Sequence, residues 1–220
     1  MTRSSGTMDG VRDFFRRRRP SAAEPAPPDT APPDTAPGPD RWTSLPRPPV
    51  PAALQQELDA VTAEHGIGRW VWTERDFPVL GWHDSTLWGY RVEHSEPGFT
   101  FGPVDRVALD LDYITRWVDP VPPSPYFSFW VAPVTLVFHG VTALELDTAI
   151  DTGTPRAITL ADIHPVRGGW HVESHADFDL MIAAAGFTQT FRQVPRHLSG
   201  QTLSLAERGG YSFAEEPVRD

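Results

Sequence analysis

The sequence predicts a mainly β fold, an antiparallel sheet or two-layer β-sandwich with one N-terminal helix at about 51–65. Three observations predict it. From residue 84 onward, short runs rich in Val, Ile, Phe, Trp, Tyr and Thr recur between clusters of Gly, Pro, Asp and Ser. Several of these runs alternate apolar and polar residues, which sends one set to each face of a strand. Helical periodicity is clear only once, ahead of the strands, so a stack of antiparallel strands is favoured over alternating βα units.

In chain order, Pro51 sits where a first-turn proline is tolerated. Leu54, Leu58, Val61 and His65 follow at helical spacing, and Gly66 closes the segment. The stretch 67–82 is aromatic and extended in character, with Pro78 set against helix. From Asp84, the residues Thr86, Trp88, Tyr90 and Val92 alternate with Ser85, Gly89, Arg91 and Glu93, Leu87 being the one apolar exception. The return segment places Val107, Leu109, Leu111 and Tyr113 on one face and Ala108, Asp110 and Asp112 on the other. A hairpin pairing 85–93 with 106–114 is therefore expected.

The four prolines within 119–127 rule out a ladder and make a loop. Strand composition resumes at 127–133 and 134–141; the run 135–141 is apolar on both faces, as a central strand requires. Segments 142–150, 157–163, 168–174 and 178–194 complete the strands, the last bending at Gly186, although its alanine run also suits a helix. Residues 203–216 read as a turn or loop followed by an edge strand.

Composition divides the chain in two. Of 24 prolines, 12 fall within residues 1–51, together with a tandem APPDT at 26–35. Such a segment cannot bury enough apolar surface to offset the entropy of ordering it. Residues 1–48 are expected to be a disordered Pro/Ala/Asp-rich tail, and 49–220 a single β-rich domain. The first 50 residues hold 8 Arg against 6 acidic residues; the rest hold 11 against 23, giving +2 and −12 for the stated total of −10. An acidic domain repels phosphate backbones, so nucleic acid is disfavoured as its partner.

In the tail, Arg16–Arg19 follow two phenylalanines and could touch an anionic surface, but a solvated charge run is the simpler reading. No segment reaches the ~18–20 apolar residues of a membrane span. The expected location is the cytoplasm.

The blocks GWHD (81–84), LDLDYITRW (109–117), FWVAPVTLVFHGV (129–141), GFTQTFR (186–192) and LSLAERGGYSF (203–213) resemble, in this order, a group of small bacterial proteins of uncharacterised function. The likeness spans about residues 79–213. It implies membership but no activity. The size and β-rich build are also similar to those of immunity proteins encoded beside bacterial toxins, which would imply a protein partner.

Several chemistries are excluded by the residues themselves. Without Cys there are no disulfides, thiolate nucleophiles or thiolate metal sites, and without Lys or a Gly-rich loop there is no P-loop. No GxSxG elbow occurs. No cofactor motif is present, and none is expected.

The strongest polar constellation is His83-Asp84 with Asp110 and Asp112. Asp110 and Asp112 lie two residues apart on one strand face, and a paired strand could bring His83 or Asp84 beside them; carboxylates and an imidazole can hold a divalent metal that activates water. The simpler readings are solvated carboxylates, and a turn in which Asp84 accepts backbone N–H groups. His171 and His175 have i, i+4 spacing but sit in a strand context, where that spacing spans about 13 Å. His164 reads as a surface or loop histidine, and His139 as a satisfied core histidine.

Of the seven tryptophans between 70 and 170, Trp82 and Trp117 each abut a polar cluster or loop and are the best candidates for a binding role. The expected function is a non-enzymatic binding module for another protein, using Trp82, His83, Asp84, Asp110, Asp112 and Trp117. The alternatives are a metal-dependent hydrolase on His83, Asp84, Asp110 and Asp112, and a small-ligand or glycan binder stacking on Trp.

Overall fold

The computed structural model describes residues 42–94, 104–148, 157–176 and 178–219. Strands within them are β1 (Val71–Thr73), β2 (Thr86–His94), β3 (Val104–Val118), β4 (Ser128–His139), β5 (Ala143–Thr148), β6 (Ile158–Val166), β7 (Gly169–Ser174), β8 (Phe178–Ala183), β9 (Gly186–Phe191) and β10 (Arg196–Leu198). They form one antiparallel open sheet in the order β1-β9-β4-β3-β2-β6-β7-β8-β5, with β10 added on β4. The mainly β class is therefore the observed one.

The sheet doubles over on itself. β4 passes into β5 through Gly140–Thr142, and β8 into β9 through Ala184–Ala185, so the β4/β9 pair and the β5/β8 pair are two arms of a bent ribbon. Gly140, at φ +59°, takes the left-handed backbone conformation that turns the first of these corners. The inner faces share one core. Trp82, Leu109, Leu111, Leu136, Phe138, Phe187 and Phe191 from one half meet Leu160, Val172, Phe178, Leu180 and Ile182 from the other.

The expected hairpin forms, running from Thr86↔Asp112 to His94↔Val104, with Trp88 as the bulged residue between Leu87 and Gly89. An extra residue shifts side-chain parity by one. Leu87 therefore faces the core with Val92, while Trp88 turns outward to Asp112. This is the physical origin of the apolar exception in the alternation. β4, expected to be central, lies between β3 and β9 and is covered on both faces.

Four expectations shift. The helix α1 is Ala52–Asp59, shorter than 51–65: Val61 and Thr62 are β-branched, and the chain instead turns at Gly66 (φ +74°). The 67–82 stretch is extended only in β1. Glu74–Val79 forms a 3-10 helix that includes Pro78, started by a capping box in which Arg75 N–H donates to Thr73 Oγ1 and Thr73 N–H to Asp76 Oδ2.

At the C-terminus, residues 203–219 contain turns but no strand, and the short edge strand is β10, upstream of them. The domain also begins before residue 49. Ser44 bridges Val166, Leu45 N–H donates to Pro165 O, and Arg47 donates to Asp162, Phe77 O and Leu80 O. The tail from residue 1 to 41, with Arg16–Arg19, lies outside the described residues.

Gly169 fixes the close approach of β7 and β8. A Cβ there would lie 1.9 Å from Ile182 O and 2.9 Å from Ala183 Cα, both backbone atoms. Gly169→Ala is expected to cost about 1–3 kcal/mol through forced displacement of β8; an unchanged melting temperature would show that the strands separate freely. Among the described residues, no helix is long and apolar enough to cross a membrane.

Candidate functional site

The paired carboxylates on β3 are placed by alternation on the outer face of the sheet, yet both are fully buried. What covers them is the C-terminal strap, residues 199–218. Asp110 Oδ1 accepts from the Arg192 and Arg208 guanidinium groups at 2.5 Å each, and Asp110 Oδ2 from Arg208 at 2.9 Å and Ser212 N–H at 3.0 Å. Asp112 accepts from Arg208 Nε at 3.0 Å, and from Trp88 Nε1 and Leu203 N–H at 2.9 Å each. Arg208 lies over the Trp88 ring at 4.9 Å.

Two carboxylates thus face two guanidinium groups, a balanced buried cluster. Burial opposes the charge on Arg208, but hydrogen bonds and charge from Asp110 and Asp112 raise its pKa above the ordinary value. Burial lowers that of Arg192, which Asp110 only partly offsets. Seven donors fill all but about one of the eight lone-pair sites on the four oxygens, and both carboxylates are fully buried, so Asp110 and Asp112 are committed to this cluster. They fasten the strap, and Leu203 completes the fastening by packing on Ile114, Phe129 and Val131.

His83 and Asp84 lie elsewhere, at the seam where β2 leaves the first half of the sheet and joins β6. Ser85 N–H donates to Trp82 O, closing a tight turn in which Asp84 has φ +61°. Asp is among the few non-glycine residues that accept this conformation. Asp84 N–H donates to Leu160 O and Leu160 N–H to Ser85 O, so the turn is pinned to β6. Trp82 N–H donates to Asp162 Oδ1 at 3.0 Å, and Gly81 N–H to the Tyr113 hydroxyl, whose pKa burial pushes up to about 12.

A β6 bulge lies between Leu160 and Asp162, and its unpaired residue, Ala161, presents a carbonyl 2.9 Å from His83 Nδ1. A carbonyl only accepts, so Nδ1 donates to it, which leaves Nε2 as the ring nitrogen turned toward Asp84. Nε2 lies 3.6 Å from Asp84 Oδ2, and His175 Nε2, from the turn after β7, lies 3.5 Å from Asp84 Oδ1. Gln201 of the strap donates to Asp84 Oδ2 at 2.9 Å. The His83 ring stacks on Trp117 at 6.3 Å and 15°, and Trp117 packs edge-on against Phe127 at 5.9 Å and Phe129 at 4.9 Å.

Of the six residues singled out from the sequence, the structure brings His83, Asp84 and Trp117 together. Asp110 and Asp112 are held in the strap's ion cluster. Trp82 is a correction to its expected binding role: it is 0% exposed, packs on Phe77, Tyr113 and Phe187, and donates from Nε1 to Gln189 at 2.8 Å. Its neighbour His83 is exposed because it lies in the turn that Ser85 N–H closes on Trp82 O, off the core side. Asp84 sits in a turn, but its carboxylate accepts from Gln201 and faces two imidazoles instead of the backbone N–H groups expected of it.

His175 was not grouped with His83 in the sequence reading. Ninety-one residues separate it from Asp84, and no local spacing marks it. His171 and His175 serve different neighbours: His171 pairs with Asp179 at 3.0 Å, beside the His164–Glu173 pair at 3.0 Å. His139 is half-buried, 3.1 Å from the Thr188 hydroxyl, and burial with Arg106 nearby holds its pKa below the usual imidazole value. A separate groove of about 530 Å³ on the outer face of β5, β7 and β8 is lined by Glu145, Asp147, His171 and Asp179, with Trp42, Leu146 and Met181.

The chain matches no family model, no curated protein and no solved structure.

Proposed function

We propose that this domain is a non-enzymatic binding module whose partner is another protein, docked on the 117–127 loop beside His83. One observation carries the reading: four large apolar side chains stand exposed between the end of β3 and the start of β4, Trp117 at 43%, Val121 at 71%, Tyr126 at 77% and Phe127 at 44%. Clustered exposed aromatics mark interaction surfaces, and Trp and Tyr lead among interface hot spots. Pro120, Pro122, Pro123 and Pro125 fix φ along the loop, and Ser124 N–H closes a turn on Val121 O, so little entropy remains to be lost on docking.

The net −12 of residues 51–220 favours a partner with a basic surface.

Tyr126 makes few contacts at its exposure, so Tyr126→Ala is expected to leave stability within about 0.5 kcal/mol. It should weaken partner binding at least ~30-fold, the loss of one hot spot. Capture from the native lysate by the full chain and by the Tyr126→Ala and Val121→Asp variants checks this. A stoichiometric partner held by the wild type and lost by both variants supports the reading. Equal recovery by all three would place the interface elsewhere.

A further inference from the structure

We infer that His83, Asp84 and His175 form a binding site for a divalent first-row transition metal. The inference is independent of whether the 117–127 loop docks a partner. The donor atoms of the three side chains lie within 4.8 Å of one another, with the two imidazole–carboxylate separations at 3.6 and 3.5 Å. An ion about 2.0–2.2 Å from each donor needs them roughly 3–4 Å apart. Closure by about 1 Å is within reach of small side-chain rotations, because the His83 and His175 side chains are 60% and 51% exposed.

Geometry alone would also describe an imidazole–carboxylate ion pair. The surroundings of His83 and Asp84 favour a metal. A ligating imidazole donates its other N–H to a carbonyl or carboxylate, which sets the tautomer and aims the ring. His83 meets that requirement through Ala161 O, an acceptor supplied by a β-bulge. A ligating carboxylate is in turn hydrogen-bonded, and Gln201 donates to Asp84. The backbone is fixed at both ends of the site: Asp84 N–H donates to Leu160 O, and His175 N–H to Thr159 O.

The donor set also selects the ion. Two imidazoles and one carboxylate suit Zn²⁺, Co²⁺, Ni²⁺, Fe²⁺ or Mn²⁺; Ca²⁺ and Mg²⁺ prefer all-oxygen shells, and Cu⁺ prefers sulfur. Three protein ligands leave at least one coordination position for water or an incoming group. The ligands' exposure turns that position to solvent, next to Trp117.

Titration of the metal-free full chain with Zn²⁺ and Co²⁺, read by calorimetry, melting temperature and the cobalt visible spectrum, tests the site. One ion per chain is expected, with a rise of about 5–10 °C at a hundredfold excess over Kd. His83→Ala and His175→Ala should each weaken binding at least ~100-fold without lowering the metal-free melting temperature. Asp84→Asn, which retains a residue tolerant of φ +61°, should weaken it as well. The His164→Ala/His171→Ala double variant should bind as the wild type does. Absence of one-to-one binding by either ion, or binding that survives His83→Ala and His175→Ala, would overturn the inference.

Discussion

Arg208→Ala is expected to destabilise the domain by about 3–5 kcal/mol, a large share of the ~5–15 kcal/mol available to a domain of this size. Arg208 is fully buried and donates to Asp110 and Asp112 together, and its Nη1 also reaches Gly210 O at 2.8 Å. Removing it leaves two carboxylates out of water with only Arg192 as a counter-charge. The cost comes from those orphaned groups more than from the lost attraction. Loss of Arg208 also frees the strap.

Urea unfolding should show the fall in stability, and limited proteolysis should cut within residues 199–218 in the variant but not in the wild type. Asp110→Ala in the same chain should recover part of the loss, since the two residues act as a unit. A change below 1 kcal/mol, or simple additivity of the two substitutions, would mean that the strap is held by Leu203 and its neighbours instead.

Trp82→Ala is expected to cost about 4–5 kcal/mol. The indole is fully buried between Phe77, Tyr113 and Phe187, so its removal opens a cavity in the core. It also strands Gln189 Oε1, the acceptor of the indole N–H. Trp82→Phe keeps most of the volume and loses only the hydrogen bond, so about 1–3 kcal/mol is expected. A near-equal effect of the two substitutions would show that the hydrogen bond, rather than the packing, is decisive. Because Trp82 precedes the His83–Asp84 turn, the alanine variant should also weaken metal binding in any fraction that stays folded.

Much of the fold could be read from local pattern. The β2–β3 hairpin follows from the alternation at 85–93 and 106–114, and the central place of β4 from its two apolar faces. The bulge at Trp88 was visible only as a mismatch at Leu87, since one inserted residue leaves no composition signal. The 3-10 helix had a local sign in Thr73 and Asp76, at capping-box spacing, but Pro78 outweighed it.

The site was less legible because its chemistry is settled by residues far apart in the chain. Asp110 and Asp112 do share a face, as spacing requires. Whether that face meets water depends on Arg192 and Arg208, 82 and 98 residues away. His83 and Asp84 stood out as a pair, whereas His175 joins them only because β6 and β7 fold back across β2. Trp82 enters the turn with its ring in the core while His83 leaves it exposed, and adjacency to a polar pair does not separate the two.

The strap has a consequence for how the molecule is made. The outer face of β3 lies about a hundred residues ahead of Arg208, which with Arg192 neutralises it, so the two carboxylates face water until both cations are in place. Docking of the 199–218 segment is therefore expected to be a late step of folding, because it joins residues far apart in the chain. Residues 199–218 act as a latch: until they dock, Asp110 and Asp112 face water and the outer face of β3 stays uncovered.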